Sequence, residues 1–183
     1  MSAWTRIAFT ELTGSQANIE FTGIANTYSD LVLYLSMRTN RATREASVIY
    51  LQFNGATAGS NYRHRLLKAS GYGVSSNQDS GSSTSLQVGY SSGQDATANS
   101  FASTTIYIPN YASSYAKPLT SDSVNPLATG TEWDTQISGG RFGNTSVISS
   151  IKILDINGNN FLQYSSATLY GITKGSSGGV VVS

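Results

Sequence analysis

Strict alternation of apolar and polar residues is the sequence feature that most limits what this chain can fold into. It is clearest in residues 30–38, where one face of an extended chain carries large apolar side chains, namely Leu31, Leu33, Leu35 and Met37. Since successive side chains of a β-strand point to opposite faces, this spacing predicts a strand with one buried face. Similar runs recur along the chain, separated by turn dipeptides such as Asn54-Gly55 and Asn157-Gly158.

The composition argues against helices. Ser, Thr, Asn and Gly account for 80 of the 183 residues, and all four lower helix stability. We therefore predict eight or nine strands and no helix. The runs assigned to strands or arms are 4–12, 19–21, 30–38, 47–53, 62–69, 101–109, 117–124, 132–142, 147–154 and 165–172. Residues 71–99 are polar and are predicted to form a long surface loop that holds one short strand at 86–90.

The predicted fold class is all-β, with one domain and an extended arm at each end. Many short strands without a helix or a repeat favour a two-sheet β-sandwich, and the long connections favour jelly-roll (Greek-key) topology. We assign residues 1–15 to an N-terminal arm or first strand and residues 16–173 to the jelly-roll domain. Residues 174–183 are rich in Gly and Ser and are predicted to form a flexible C-terminal tail.

The residue inventory removes several kinds of chemistry. The chain has no Cys and a single His, His64, which excludes disulfides, thiolate metal sites and metal sites that need two imidazoles. No stretch has the length and apolar character of a signal peptide or of a membrane span. We expect no metal, no cofactor and no membrane contact.

Two segments match the Gly-x-Ser-x-Gly pattern of a serine nucleophile, at residues 89–93 and 175–179. That motif requires a strand-to-helix turn followed later in the chain by an acid and a His. No His follows Ser91, so no base is available to activate it. We assign no catalytic residue to either segment.

Two acidic motifs are also incomplete. Residues 155–160 resemble the start of a calcium-binding loop, but Asn160 and Ser166 stand where such a loop needs Gly and a bidentate Glu. Glu132 and Asp134 are two residues apart, so on a strand they would share a face. Paired carboxylates are typical of glycoside hydrolases. A solvent-exposed strand face explains the pair more simply, and we expect no enzymatic activity.

Positive charge is concentrated in residues 38–68, which carry six cations and one anion. Their arginines are candidate contact residues for a partner, and they are Arg38, Arg41, Arg44, Arg63 and Arg65. Arg is common at protein interfaces and pairs well with carboxylates, although such residues also serve simply to keep loops soluble. Few aromatic residues lie among them and the pI is about 7.9, so we expect no nucleic-acid binding.

Two aromatic or apolar groups are further candidates. The N-terminal segment is too apolar to remain in water, and we expect a second subunit, a partner or the edge of its own sheet to bury Trp4, Ile7, Phe9 and Leu12. A later segment mixes Tyr with Ser and Asn, a composition typical of adaptable recognition surfaces and also of subunit packing. Its candidate recognition residues are Tyr107, Tyr111 and Tyr115.

A series of short motifs is spread over residues 10–172. They lie at 19–28, 31–35 with Arg38, 51–55 with 61–62, 106–111 with 117–119, 130–133, 160–161 and 166–172. In these segments the chain resembles small jelly-roll virion proteins and domains of tailed bacteriophages. The closing Ala-Thr-Leu-Tyr-Gly-Ile strand at 167–172 is the most specific part of the resemblance.

The resemblance implies a structural virion protein without catalytic residues, either a capsid decoration (cement) protein or a head-fibre or tail module. Because nearly the whole chain is one domain, we expect a decoration protein that forms a homodimer or homotrimer, binds the major capsid protein and stabilises the capsid from outside. It would be located on the capsid surface of the virion, after assembly in the host bacterial cytoplasm. The alternative is a carbohydrate- or receptor-binding module of a tail or head fibre.

Overall fold

The computed structural model describes residues 3–42, 46–70, 73–78, 81, 83–126 and 133–173, with the backbone alone for Trp133 and Asp134. These residues form twelve strands and one 3-10 turn at Gly59–Asn61, and no α-helix occurs among them. The strands are β1 (Ala3–Glu11), β2 (Asn18–Phe21), β3 (Asp30–Met37), β4 (Ala46–Phe53), β5 (Tyr62–Ser70), β6 (Gly73–Gln78), β7 (Leu86–Ser92), β8 (Ala102–Pro109), β9 (Lys117–Pro126), β10 (Trp133–Phe142), β11 (Ile151–Asp155) and β12 (Ser166–Thr173). The all-β prediction is confirmed, whereas the predicted number of eight or nine strands was too low, since the described residues form twelve.

The strands form two antiparallel sheets that pack as a β-sandwich. The larger sheet has the order β1-β12-β3-β8-β9-β10-β5-β6 and the smaller has the order β2-β11-β4-β7. From β2 onward the chain changes sheet at every connection except within the β5–β6 hairpin and the β8–β9–β10 meander. The first strand of the smaller sheet, β2, lies beside its last strand, β11. This is the Greek-key wiring of a jelly roll, and the meander occupies the place of one strand and widens the larger sheet.

The apolar core lies between the sheets and follows the alternation seen in the sequence. The apolar face of β3 is buried, and the facing residues Ile49, Leu51 and Phe53 of β4 are fully buried. The ring of Tyr62 packs against Phe53 and Phe142, with centroid distances of 6.4 and 5.3 Å. Its hydroxyl accepts a hydrogen bond from the Phe53 N–H at 2.9 Å and donates to the Ala56 carbonyl at 2.9 Å. Tyr62 therefore closes this end of the core without leaving its hydroxyl unsatisfied.

A second part of the interior is polar, and it lies in the segment predicted as a surface loop. The short strand predicted at 86–90 is present as β7, but the prediction of a surface loop around it was wrong, because β7 is buried over β8, β9 and β10 and the segment also contains β6. The Ser123 hydroxyl accepts a hydrogen bond from the Tyr90 N–H at 3.0 Å, and the Ser92 hydroxyl donates to Asn125 Oδ1 at 2.9 Å. Small polar residues can be buried here because the facing strand supplies their hydrogen-bond partners.

The N-terminal segment is the edge strand of the larger sheet. β1 pairs with β12 from Ala3 opposite Thr173 to Glu11 opposite Ser166, with an irregularity between Arg6 and Ala8. The segment predicted as an arm or first strand is thus a first strand, and its described residues do not extend from the domain. Residues 174–183, predicted as a tail, lie outside the described residues.

Candidate partner-binding surface

The smaller sheet covers one side of the larger sheet, and no described strand packs on the other side. We call this side the outer face. Eleven large apolar or aromatic side chains among the described residues are exposed, and the strand register places eight of them on the outer face. The eight are Trp4, Phe9, Tyr34, Leu67, Val74, Tyr107, Val124 and Ile137. Because large exposed apolar patches usually mark interaction sites, the outer face is the candidate functional surface.

One half of the outer face is aromatic. The Trp4 ring lies 6.0 Å from the Tyr170 ring, and Tyr34 meets the same ring edge-on at 5.9 Å. Phe9 lies nearby on β1, and both Trp4 and Phe9 leave 53% of their surface exposed. We call Trp4, Phe9, Tyr34 and Tyr170 the aromatic half. Such amphipathic rings provide large, rigid contact area at protein interfaces.

The other half combines arginine with aliphatic side chains. In the β5–β10 register, Arg63 lies opposite Arg141, Arg65 opposite Gly139, and Leu67 opposite Ile137. Nothing lies within 4 Å of the position that a Cβ at Gly139 would occupy, so this glycine leaves a depression between the charged and the aliphatic residues. A groove of about 800 Å³ is located here, and its lining includes Arg63, Arg65, Arg141, Gln78 and Gly139. We call it the arginine groove.

The arginine groove is positively charged. Like charges directly opposite on a sheet destabilise the pair, and the cross-strand neighbours Arg63 and Arg141 are such a pair. Arg63 Nη1 donates hydrogen bonds to the carbonyls of Gly59 and Tyr62 at 3.0 and 2.8 Å, and Arg65 donates to Gln78 Oε1. The guanidinium of Arg141 makes no hydrogen bond to any residue within the described ranges. A carboxylate presented by a partner would supply the acceptor that the Arg141 guanidinium lacks among the described residues.

The structure divides the arginines that were predicted as one contact group. The Arg38 guanidinium donates to the carbonyls of Gln94, Ala96, Thr97 and Ser100 at 2.8–3.2 Å, so it holds the loop between β7 and β8. Arg41 Nη1 donates to Ala46 O and Ser47 Oγ, each at 3.4 Å. The strands β3 and β5 are four strand spacings apart, about 19 Å, so Arg38 lies outside the groove that Arg63 and Arg65 line. Arg44 lies outside the described residues.

Arg141 is the member of the groove that sequence reasoning missed. It is separated from Arg63 by 78 positions in the chain and comes next to it only through the pairing of β5 with β10. The signal in the sequence was its place in the alternation of residues 132–142, which puts Arg141 on the same face as Ile137 and Gly139.

The candidate residues of the N-terminal segment also divide by face. Leu12 is buried in the core and Ile7 is half-buried against it, whereas Trp4 and Phe9 point to the outer face. The edge of the chain's own sheet therefore accounts for the burial of two of the four. The other two remain available to a partner.

The three tyrosines do not form one recognition loop. Tyr107 lies on the outer face, and its hydroxyl donates to Asp30 Oδ2 at 2.8 Å. Tyr111 is fully buried, so its assignment to a recognition loop is wrong: Asn110 adopts a positive φ of 49°, and the chain then carries the Tyr111 ring into the core, where its hydroxyl donates to Ala25 O. Tyr115 is 78% exposed. Burial, followed by the Asp30 contact, raises the pKa of Tyr107, and burial raises the pKa of Tyr111.

The motifs considered for catalysis or metal binding lie apart from this surface. Ser91 is fully buried, and its hydroxyl donates to Ser47 O at 3.4 Å, so it is not accessible to a substrate. The Asp155 carboxylate accepts hydrogen bonds from Ser47 Oγ, the Asn157 N–H and Asn159 Nδ2, which makes it the centre of the turn that leads from β11 in the smaller sheet toward β12 in the larger sheet. Glu132 and residues 175–179 lie outside the described residues, as does the side chain of Asp134.

Among the described residues there is no group of three or more His, Cys, Asp or Glu side chains that could hold a metal ion. Within the same residues no helix has the length and apolar character required to cross a membrane.

Comparisons with known proteins do not assign a family. No protein-family model and no curated protein matches the chain. Among solved structures, the chain has a likeness to the crystal structure of Scytalido-glutamic peptidase with a peptide-based transition-state analogue, with 13% sequence identity and a TM-score of 0.26, over 93% of this chain and 71% of that chain. At this TM-score the likeness supports no conclusion about fold or activity.

Proposed function

We propose that this protein is a non-enzymatic structural subunit of a bacteriophage virion, which attaches to the exterior of the capsid, associates with further copies of itself and reinforces the shell. The resemblance described above supports the virion assignment. The observation that carries the attachment is the concentration of exposed apolar side chains on the outer face of the larger sheet.

The outer face is large enough for a stable interface. Eight strands spaced by about 4.8 Å give a face about 38 Å wide, and strand lengths of about 25 Å bring its plan area to roughly 950 Å². A standard protein interface buries about 800 Å² on each partner. Docking of most of this face would therefore bury enough area for a specific complex with a capsid.

The arginine groove defines the chemistry of the partner surface. Arg63, Arg65 and Arg141 lie in two adjacent rows, with Asp122 in the next row opposite Ile137. This half of the face has a net positive charge among its described residues, which favours an acidic capsid surface and disfavours docking of two outer faces onto each other. Leu67 and Ile137 border the groove and would pack against apolar neighbours of the acidic groups.

The test compares virions assembled with and without the protein. We expect hundreds of copies per particle on a calibrated gel, and particles that resist heating and osmotic shock better when the protein is present. A handful of copies per particle, or equal resistance without the protein, would contradict the proposal.

Matched variants locate the attachment surface. Arg141→Glu should reduce incorporation into particles while leaving the fold intact, because a carboxylate opposite Arg63 replaces repulsion with attraction. Lys152→Glu is the control, since Lys152 lies on the smaller sheet and pairs with Glu20 at 3.2 Å. Equal incorporation of the two variants would remove the arginine groove from the interface.

A second candidate function is glycan recognition by the aromatic half. The exposed Trp4 ring favours it, since aromatic rings commonly stack on apolar sugar faces. Binding of the purified protein to host surface polysaccharide, abolished by Trp4→Ala and retained by the exposed-loop control Tyr115→Ala, would support this function. If Trp4→Ala loses polysaccharide binding but still stabilises particles, glycan recognition belongs to the aromatic half and capsid attachment to the other half of the outer face.

A further inference from the structure

The four edges of the two sheets are protected to different degrees. β1 carries Arg6 and Glu11 and has an irregular register with its neighbour. β2 is only four residues long and carries Glu20. β7 is buried along nearly its whole length. Charges, irregularities, short length and cover are the devices by which natural sheets prevent pairing with another chain, so these three edges are closed to partners.

Within the part of the chain that the structure describes, β6 shows none of these devices. All six residues of Gly73–Gln78 are exposed, none is charged or proline, and the register with β5 is regular from Ser70 opposite Gly73 to Arg65 opposite Gln78. No described strand lies beyond it in the sheet. Its edge therefore presents backbone N–H and C=O groups in the arrangement that a further strand would pair with, except at its end, where the Gln78 N–H donates to Asn77 Oδ1 at 2.7 Å.

We propose that β6 pairs antiparallel with β6 of a second copy, so that the two larger sheets become one continuous sheet across a two-fold axis. The direction of this two-fold axis is taken from the proposed capsid attachment, and in this respect the inference rests on the proposed function. A second copy is the occupant because β6 is uncharged, so no like charges on β6 meet across the axis. In addition, the exposed Val74 lies opposite Ala69 and diagonal to Leu67, and it would extend the aliphatic part of the outer face into that of the second copy.

The orientation of the dimer follows from geometry. Both copies must present their outer faces to one capsid surface, so the axis must be perpendicular to the sheet. Residues opposite each other in an antiparallel pair point to the same side of the sheet. Under this axis, each outer-face residue of one copy therefore lies opposite an outer-face residue of the other copy. One of the two middle residues of β6, Ser75 or Ser76, then lies opposite its own copy.

The dimer is expected to be weak in free solution and strong on the particle. A ladder of five or six residues is only about 17–20 Å long, which buries less area than a standard interface. Attachment of both copies to the same capsid raises their effective concentration to about the millimolar range. Pairing along β6 would then link neighbouring subunits, which is how a decoration protein could reinforce a shell.

Cysteine cross-linking tests the pairing, since the protein contains no Cys. Opposite residues of an antiparallel pair have Cα atoms about 4.5 or 5.5 Å apart, within the range of about 4.4–6.8 Å that a disulfide spans. Ser75→Cys or Ser76→Cys should therefore form a covalent dimer on decorated particles at least about tenfold faster than the control Thr5→Cys on the protected edge strand β1.

A second variant keeps the test independent of disulfide geometry. Ser76→Lys places like charges near each other across the axis and should weaken self-association about tenfold or more, with an unchanged unfolding midpoint. Because the free dimer is weak, sedimentation or light scattering is measured at about millimolar protein concentration, which matches the effective concentration on the particle. If neither cysteine cross-links faster than Thr5→Cys and Ser76→Lys associates as the wild type does, the β6 pairing is wrong. Particles that are still decorated and stabilised in that case would leave the proposed function standing, whereas undecorated particles would contradict the function itself.

Discussion

A single methyl group added at Gly89 tests the close contact of β7 with β9. An ideal Cβ on Gly89 would lie 2.5 Å from Ser123 Oγ, 2.6 Å from Ser123 Cβ and 2.8 Å from Thr104 Oγ1. Carbon atoms pack at about 3.5–4.0 Å, so the two sheets would have to separate by about 1 Å in Gly89→Ala, or Ser123 would have to move.

The expected loss of stability follows from these contacts. Overpacking of a well-packed interior costs about 1–3 kcal/mol. Displacement of Ser123 also removes its 3.0 Å hydrogen bond from the Tyr90 N–H and its 2.8 Å contact with the Thr104 hydroxyl, and a buried group left unsatisfied costs about 1–3 kcal/mol more. We expect Gly89→Ala to lower the free energy of unfolding by about 3 kcal/mol, or about 1.5 M in the urea midpoint at a slope of about 2 kcal/mol/M.

Urea unfolding followed by tryptophan fluorescence measures this loss, with Gly139→Ala as the matched control. Gly139 also lies in a strand, but nothing occupies the space around its Cβ position, so this variant should be neutral or stabilised by up to about 1 kcal/mol. In the double variant Gly89→Ala/Ser123→Gly the loss should be smaller than the sum of the two single losses. A midpoint for Gly89→Ala equal to that of Gly139→Ala would refute the close packing of the two sheets.

Three further predictions concern the interior and the loops. Tyr62→Phe leaves the Phe53 N–H and the Ala56 carbonyl without their 2.9 Å hydrogen bonds and should cost about 1–3 kcal/mol in thermal or urea unfolding; a neutral result would mean that water replaces the hydroxyl. Arg38→Lys cannot reproduce the planar fork that holds four carbonyls, so hydrogen exchange in residues 94–100 should accelerate, while the same change at Arg65 should leave that loop as protected as in the wild type. Above pH 10 the protein should lose stability as pH rises, because burial raises the pKa of Tyr50, Tyr62 and Tyr111 above 10.0 in the folded state, so the unfolded chain releases these protons first. Burial lowers the pKa of Lys117, which has the opposite effect up to pH 10.5. A pH titration of the unfolding midpoint that stayed flat from pH 9 to 12 in the wild type and in Tyr62→Phe would contradict the tyrosine assignment.

Elements with strict alternation could be predicted from the sequence with their faces. In β3 the spacing of Leu31 to Met37 decides which side chains enter the core, because a strand has only two faces and the apolar one must be buried. The short strand at 86–90 was predicted from its alternation, but the burial of β7 could not be predicted in the same way. Its buried residues include Gly89, Ser91 and Ser92, and such residues are stable inside a protein only when another strand brings their hydrogen-bond partners, which the local sequence does not contain.

The candidate surface likewise has properties that the sequence predicts and properties that depend on the tertiary structure. The sequence by itself determined that the protein is all-β, that His64 and the missing cysteines exclude common metal sites, and that Arg63 and Arg65 share a strand face, because each of these depends on composition or on spacing within one element. Only the tertiary structure decided that Arg141 joins those two arginines, that Arg38 holds a loop on a distant part of the sheet, and that Tyr111 belongs to the core. The physical reason is that a contact between distant segments depends on the order in which strands pair, and backbone hydrogen bonds allow many such orders until the packing of the whole interior selects one.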